Sequence, residues 1–190
     1  MQDKPTQALQ RFIDRTEIYD AMCRYARGVD RGDGDLIRSA YHPDAYDDHG
    51  DYKGNIDGFI EWLGTLFLNF DNSMHFLGNC LIEFAGPDLA LVETYFASRR
   101  LRAPVGDECA GLKPNDAICR QAWGRYLDRF ERRNGEWRIA KRMVVIDSRF
   151  ASVATGGARN APLTWGTRDR SDPFYAVRAA VFRDASTSAK

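Results

Sequence analysis

The sequence is poor in the side chains that most often carry chemistry. Its 190 residues include three histidines, His42, His49 and His75, and four cysteines. Cys23, Cys80, Cys109 and Cys119 form no C-x-x-C pair, and no histidine cluster accompanies them at zinc spacing. That pattern argues against a structural zinc site, and no metal site is expected. We read the cysteines as free thiols in a reducing compartment, with a Cys109–Cys119 bridge as the lesser alternative. Charge of one sign is not in excess either: 27 Lys and Arg face 27 Asp and Glu. Nothing in that balance calls for nucleic acid or an acidic membrane as partner. No apolar run approaches membrane-spanning length, and Met1 to Arg11 is polar, without the apolar core of a secretory signal. The cytoplasm is the expected location. No Gly-rich phosphate loop is present, so neither nucleotide nor other cofactor is expected.

What is there suits one globular domain. Hydrophobic residues make up 44% and charged residues 28%, and 190 residues can bury a core without staples. Helical spacing runs over 8–26, where Leu9, Phe12, Ile13, Tyr19, Met22, Cys23 and Ala26 fall near one face. Gly28 is expected to end that helix, with 29–34 as a turn. A short helix at 35–41 stops before Pro43. A short strand is expected at 45–50 and an amphipathic helix at 56–70. After Asn72 the period changes, and four long strands are expected at 73–84, 89–103, 117–132 and 136–148. Asn134-Gly135 joins the last two as a hairpin. Helices first and antiparallel strands after means α+β, a strongly curved antiparallel sheet folded over the N-terminal helices as a cone-shaped barrel. We assign 1–150 to that domain. Residues 151–190 form a tail that covers the pocket or contacts another subunit, with a short helix at 172–183.

The candidate residues each have a plain alternative. His75 opens a strand and shares a face with Leu77 and Asn79; alone, it reads as a satisfied structural histidine. Asp30 follows the first helix and alone reads as a turn or cap. Tyr25 stands five positions before it, and core packing would account for it. Arg142 lies in the last strand on a face with Ala140, Val144 and Ile146. A charge among apolar neighbours needs a partner or a ligand. Arg138 alternates onto that face too. Asp47 and His49 share one face of the short strand and either line the pocket or sit on an exposed polar edge. Trp62 belongs to the apolar face of the 56–70 helix.

Four stretches, in this order and spacing, resemble one family. They are Tyr25-Ala26-Arg27-Gly28-Val29-Asp30, Tyr41-His42-Pro43-Asp44-Ala45-Tyr46-Asp47-Asp48-His49-Gly50, Met74-His75-Phe76-Leu77-Gly78-Asn79, and the run from Gly124 to Ile139. Over about 8–150 the chain is similar to the SnoaL-like branch of the nuclear-transport-factor-2-like superfamily. Within it, the chain resembles the hexachlorocyclohexane dehydrochlorinase, scytalone dehydratase and bile-acid 7α-dehydratase group. The resemblance implies the cone-shaped fold and an Asp–His dyad at Asp30 and His75. It matches Tyr25 to a tyrosine before the Asp, and Arg142 to an active-site arginine. One departure stands out: the second active-site histidine of the scytalone type is missing around Ser98 to Leu101.

The resemblance implies a cofactor-independent lyase. His75 would be the base, Asp30 its orienter, and Arg142 or Tyr25 the stabiliser of developing negative charge. Asp47, His49, Asn79 and Trp62 would contact a small-molecule substrate, an apolar, aromatic or polycyclic oxygenated compound losing water, halide or a small carbonyl such as formaldehyde. The alternatives are an isomerase or epoxide hydrolase, with Asp47 as base and Tyr25 as donor, and a non-enzymatic binding module. A homo-oligomer built on the outer sheet face is expected, a trimer ahead of a dimer.

Overall fold

The structure, a computed structural model, describes residues 4–68, 70–106, 110–113, 116–155 and 162–188. Its elements run α1 (Lys4–Arg31), α2 (Gly34–Arg38), β1 (Tyr41–Asp48), β2 (Lys53–Asn55), α3 (Ile56–Leu66), β3 (Asn72–Phe84), β4 (Leu89–Arg102), β5 (Ala117–Arg133), β6 (Glu136–Ala154) and α4 (Pro173–Ser188). Six strands form one open mixed sheet in the order β2-β1-β6-β5-β4-β3. The long strands pair antiparallel, while β1 joins β6 in parallel. A parallel pair needs a long connection, and β2, α3, β3, β4 and β5 all lie between β1 and β6.

α1 packs on β3 and β6, and α3 packs on β1 and β2. The core between helices and sheet includes Ile18, Met22, Phe59, Val92, Phe130 and Ile139, all fully or almost fully buried. A polar pin closes one end. The buried Asp14 of α1 accepts Trp137 Nε1–H at 3.0 Å and Arg132 Nη1–H at 2.9 Å. This locks the helix to the β5–β6 hairpin, whose turn residues Asn134 and Gly135 have φ of 53° and 84°, as a tight hairpin demands.

Several sequence expectations shift. α1 does not stop at Gly28. A Cβ there would lie 2.7 Å from Ile37 Cγ1 and 2.9 Å from Ile37 N, so this glycine lets α2 approach. Gly32, at φ 64°, takes the left-handed position that ends the helix. Asp30 therefore stands in the last turn of α1, on the same helix as Tyr25. Farther up, Leu9, Phe12 and Ile13 were expected on the buried face but are 61%, 69% and 40% exposed, because the helix there turns Arg11, Asp14 and Arg15 toward the sheet. α3 ends at Leu66, four residues early, and β6 continues to Ala154, paired with Ala117.

Two register shifts matter for the site. One lies between Leu77 and Cys80 opposite β4, and another falls between Arg129 and Phe130 opposite β6. An inserted residue reverses which face the later side chains take. The β3 shift puts Ser73, His75 and Leu77 toward the core and then Cys80 and Ile82, leaving Asn79 exposed. The β6 shift puts Trp137 and Ile139 inward and then Arg142 and Val144. Arg138 and Ala140 thus leave the face of Arg142, and Arg138 pairs with Glu136 at the surface.

Cys23, Cys80 and Cys119 are free thiols; Cys109 lies outside the described residues. The segment before α4 returns to the end of α1. Arg31 meets Asp172 at 3.2 Å, Arg170 meets Asp33 at 3.3 Å, and Tyr175 O–H donates to Asp33 at 3.1 Å. No helix among the described residues is long and apolar enough to cross a membrane.

Candidate active site

The last turn of α1 and the start of β3 meet at Asp30 and His75. His75 Nδ1 lies 2.7 Å from Asp30 Oδ1, and the His75 backbone N–H donates to Oδ2 at 2.8 Å. Ser73 O–H donates to Oδ1 at 3.0 Å. Burial alone would push the Asp30 carboxyl up. The His75 ring, its backbone N–H and Ser73 outweigh burial and hold it below its ordinary value. A carboxylate at Nδ1 keeps the ring proton there and leaves Nε2 as the acceptor. That nitrogen has no protein partner among the described residues.

A second series starts at Asp47, in β1. Its carboxylate is fully buried, accepts Tyr41 O–H at 2.7 Å and pairs with His49 Nδ1. His49 Nε2 lies 3.1 Å from the Tyr25 hydroxyl. Burial pushes the Tyr25 phenol up more strongly than Arg142 pulls it down, so Tyr25 stays protonated and donates to Nε2. Asp47 holds His49, and His49 holds Tyr25.

Both series open into one chamber of about 100 Å³ between α1, α3 and the sheet. Its walls are aromatic: Tyr25, Trp62, Phe67, Phe96 and Tyr126. Phe96 and Tyr126 stack at 4.4 Å, with His75 6.3 Å from Phe96 and His49 6.4 Å from Tyr126. The stacked pair therefore lies between the two histidines. At about 100 Å³ it is smaller than the apolar cavity of about 150 Å³ that takes benzene, so a single ring bound here would reach into the mouth of the chamber. Wider hollows of about 370 and 440 Å³ lie outside, around Glu17, Arg24 and Glu136 and around Arg38, Pro43 and Asp57. Neither contains an Asp–His pair, whereas a third hollow of about 310 Å³, beside Tyr19, Cys23 and Arg27, also touches Asp30 and His75.

Arg142 is corrected. It does not line the chamber but lies beneath it, fully buried. Its Nε and Nη2 donate to the two carboxylate oxygens of Asp128 at 2.7 and 2.6 Å. Its guanidinium carbon sits 4.1 Å from the ring centroids of both Tyr25 and Tyr126. Burial opposes the cation, but the Asp128 carboxylate outweighs it and keeps Arg142 firmly charged. The arginine touches Tyr25 and Tyr126 and is not among the residues that line the chamber.

Other expected residues divide. Trp62 and His49 line the chamber, while Asn79 is exposed and away from it because of the β3 shift. Asp47 is shielded behind Tyr41 and His49, out of reach of a substrate for which it was to be the base. β4 carries no second histidine; Ser98 and Arg100 face the chamber there. Sequence reasoning passed over Tyr126, Asp128 and Arg100. A signal existed. Tyr126, Asp128 and Phe130 alternate on one face of β5, the argument that singled out Arg142. Among the described residues no group of three His, Cys, Asp or Glu is placed to hold a metal.

With this geometry in view, the comparisons are informative. Residues 10–143 match the family model of the SnoaL-like domain, and the chain belongs to that family. No curated protein matches. Among solved structures, the chain is similar to a hexachlorocyclohexane dehydrochlorinase (LinA) type 2, with 18% identity over 82% of this chain and 98% of the other, at a TM-score of 0.64. It is also similar to the LinA type 3 dehydrochlorinase of Novosphingobium barchaimii LL02, with 20% identity over 82% and 99% of the chains, at 0.62. A protein of Novosphingobium aromaticivorans assigned as a scytalone dehydratase shares 14% identity over 82% and 99%, at 0.64. At such identities the likeness establishes the shared α+β cone fold.

Proposed function

We propose that this chain is a cofactor-independent lyase that removes a small fragment from an apolar, aromatic, oxygenated molecule. The buried Asp30–His75 pair, with Nε2 left free beside an aromatic chamber, carries the reading. His75 Nε2 takes a proton, and Asp30 steadies the imidazolium that results. In a dehydration or dehydrochlorination the proton comes from carbon. The C–H electron pair forms the new double bond, and hydroxide or halide leaves with its own pair. In a deformylation the proton comes from a hydroxyl. The O–H pair forms the carbonyl of formaldehyde, the C–C bond breaks, and its pair stays on the ring-bearing fragment. Tyr25, held protonated against His49 Nε2, stabilises the atom that gains negative charge by turning its single O–H from His49 to that atom.

Arg142 enters this scheme as a positioning residue. Its charge beneath the Tyr25 ring draws electron density from the phenol and strengthens the O–H as a donor. The dehydratase and dehydrochlorinase names of the structural neighbours support an elimination, and the family supports a pocketed fold. A polycyclic substrate would leave part of itself outside the chamber. Exposed Met74, Phe76, Tyr95, Trp123 and Phe150 on the outer sheet face support assembly into a homo-oligomer, for which we propose a trimer ahead of a dimer from the family resemblance.

Incubation with aromatic and steroid-like alcohols and halides, followed by mass spectrometry, tests the reading: a product lighter by water, hydrogen halide or formaldehyde is expected. Asp30→Asn and His75→Ala should each lower turnover by about 10²–10⁴ while retaining the wild-type circular dichroism spectrum. Near-wild-type rates in either variant would sink the mechanism.

A further inference from the structure

We propose that the substrate of this chamber is an aromatic carboxylate, its anionic group held at the mouth by Arg100. The inference rests on the chamber being the substrate site and adds what the substrate must carry. Phe96, Ser98 and Arg100 succeed one another at every second residue of β4 and all three line the chamber. In the β3–β4 register His75 stands opposite Ser98, and Ser73 stands opposite Arg100. Arg100 is therefore two residues farther along the strand than the dyad, about 7 Å. That is about the span of one benzene ring with its substituents. A carboxylate on Arg100 would leave the far side of the ring beside His75.

What sets Arg100 apart is its missing partner. It is half-buried, and among the described residues no carboxylate pairs with it. Its guanidinium stacks instead over Phe67 and Phe70, 5.2 and 5.8 Å from the ring centroids. Burial lowers its pKa and the nearby Arg149 and Arg120 lower it further, so its charged neighbours add repulsion. Arg149 also lines the chamber, and among the described residues its one ion pair is a 3.8 Å contact to the exposed Asp51 of the same lining. From the returning C-terminal segment, Arg168 places its guanidinium 3.7 Å from the same Phe67 ring. It donates to Val29 O at 3.0 Å, and its Nε is buried without a partner. Arg142 shows the contrast within one protein: a buried arginine whose charge is met by a carboxylate, Asp128, although its Nη1 is buried without a partner. Withdrawing a cation from water without a counter-charge is unfavourable. A carboxylate arriving with the substrate would offset that and could accept two parallel N–H bonds from one guanidinium.

The test compares benzoate with benzamide, which has nearly the same shape and no charge. Binding is read by isothermal titration calorimetry or tryptophan fluorescence, Trp62 lying in the chamber wall. In the wild type, benzoate should bind about ten- to a hundred-fold more tightly than benzamide. Arg100→Met should bring the ratio close to one, and Arg100→Lys should recover only part of it. Thermal melts establish that each variant is folded, with Arg100→Gln replacing Arg100→Met if that protein does not fold. His75→Ala should keep the wild-type ratio, so the recognition is read apart from the elimination chemistry. Equal affinities in the wild type, a ratio that survives Arg100→Met, or no saturable benzoate binding would each overturn the proposal.

Discussion

Removing Asp128 should unfold much of the chamber floor's advantage. The perturbation is Asp128→Leu, which strips the fork from Arg142 Nε and Nη2 and leaves a fully buried cation with a thioether contact and three aromatic faces. Breaking one side of a buried pair costs about 3–5 kcal/mol. For a chain of this size each kcal/mol lowers Tm by roughly 2–4 °C, so the expected loss is about 6–20 °C. Removing both charges has a different effect. Arg142→Met combined with Asp128→Leu replaces the pair with apolar volume and should return to within about 1–2 kcal/mol of the wild type. Urea unfolding of the wild type, both single variants and the double variant closes the cycle. Turnover of the double variant should stay low, because Tyr25 no longer lies on a cation. A single-variant cost below about 1 kcal/mol would refute the reasoning. So would a double variant as unstable as the sum of the singles, since the two charges would then not be acting as a unit.

The Asp30 carboxyl lies below its ordinary value in the folded protein. Its contribution to stability is therefore fully present above the unfolded carboxyl value near about 3.9 and is lost as pH falls through the lower folded one. The stability gap between wild type and Asp30→Asn, measured by urea unfolding, should shrink as pH falls from 5 toward 3; a gap that widens over that range contradicts the assignment. Gly124 faces a bulge, where an added Cβ would lie 2.2 Å from Val145 O and 3.2 Å from the Phe96 ring. Gly124→Ala should cost about 1–3 kcal/mol in a thermal melt, and an unchanged Tm would show that β6 yields there. Sedimentation velocity should find an oligomer for the wild type and a smaller species for Phe76→Glu, since Phe76 is 66% exposed on the outer face; an identical mass for the two would remove that face as the interface.

How far the site could be read from sequence depended on whether its signals were local. Asp30 and His75 each looked ordinary alone, and the family resemblance joined them. Asn79 was misplaced because alternation was carried through Gly78, where the strand inserts a residue. Arg142 was recognised as a charge needing a partner, but the partner was sought in a ligand. Asp128 stands opposite it in the β5–β6 register, and nothing in the spacing of one strand reveals what faces it on another.

By itself the sequence determined the elements and their broad order. Helical and strand periods, the Asn134-Gly135 turn, and the caps Asp33 and Asn55 act over a few residues, and short-range physics survives in a linear reading. Only the tertiary structure decided which charges are answered from within and which are left open. It gave Arg142 to Asp128, Tyr25 to His49, and Asp30 to His75, and among the described residues it left Arg100 in the chamber wall without a carboxylate. The reason is physical: an ion pair is made across space between strands and helices, and a single inserted residue in a sheet turns a side chain from the core to the solvent.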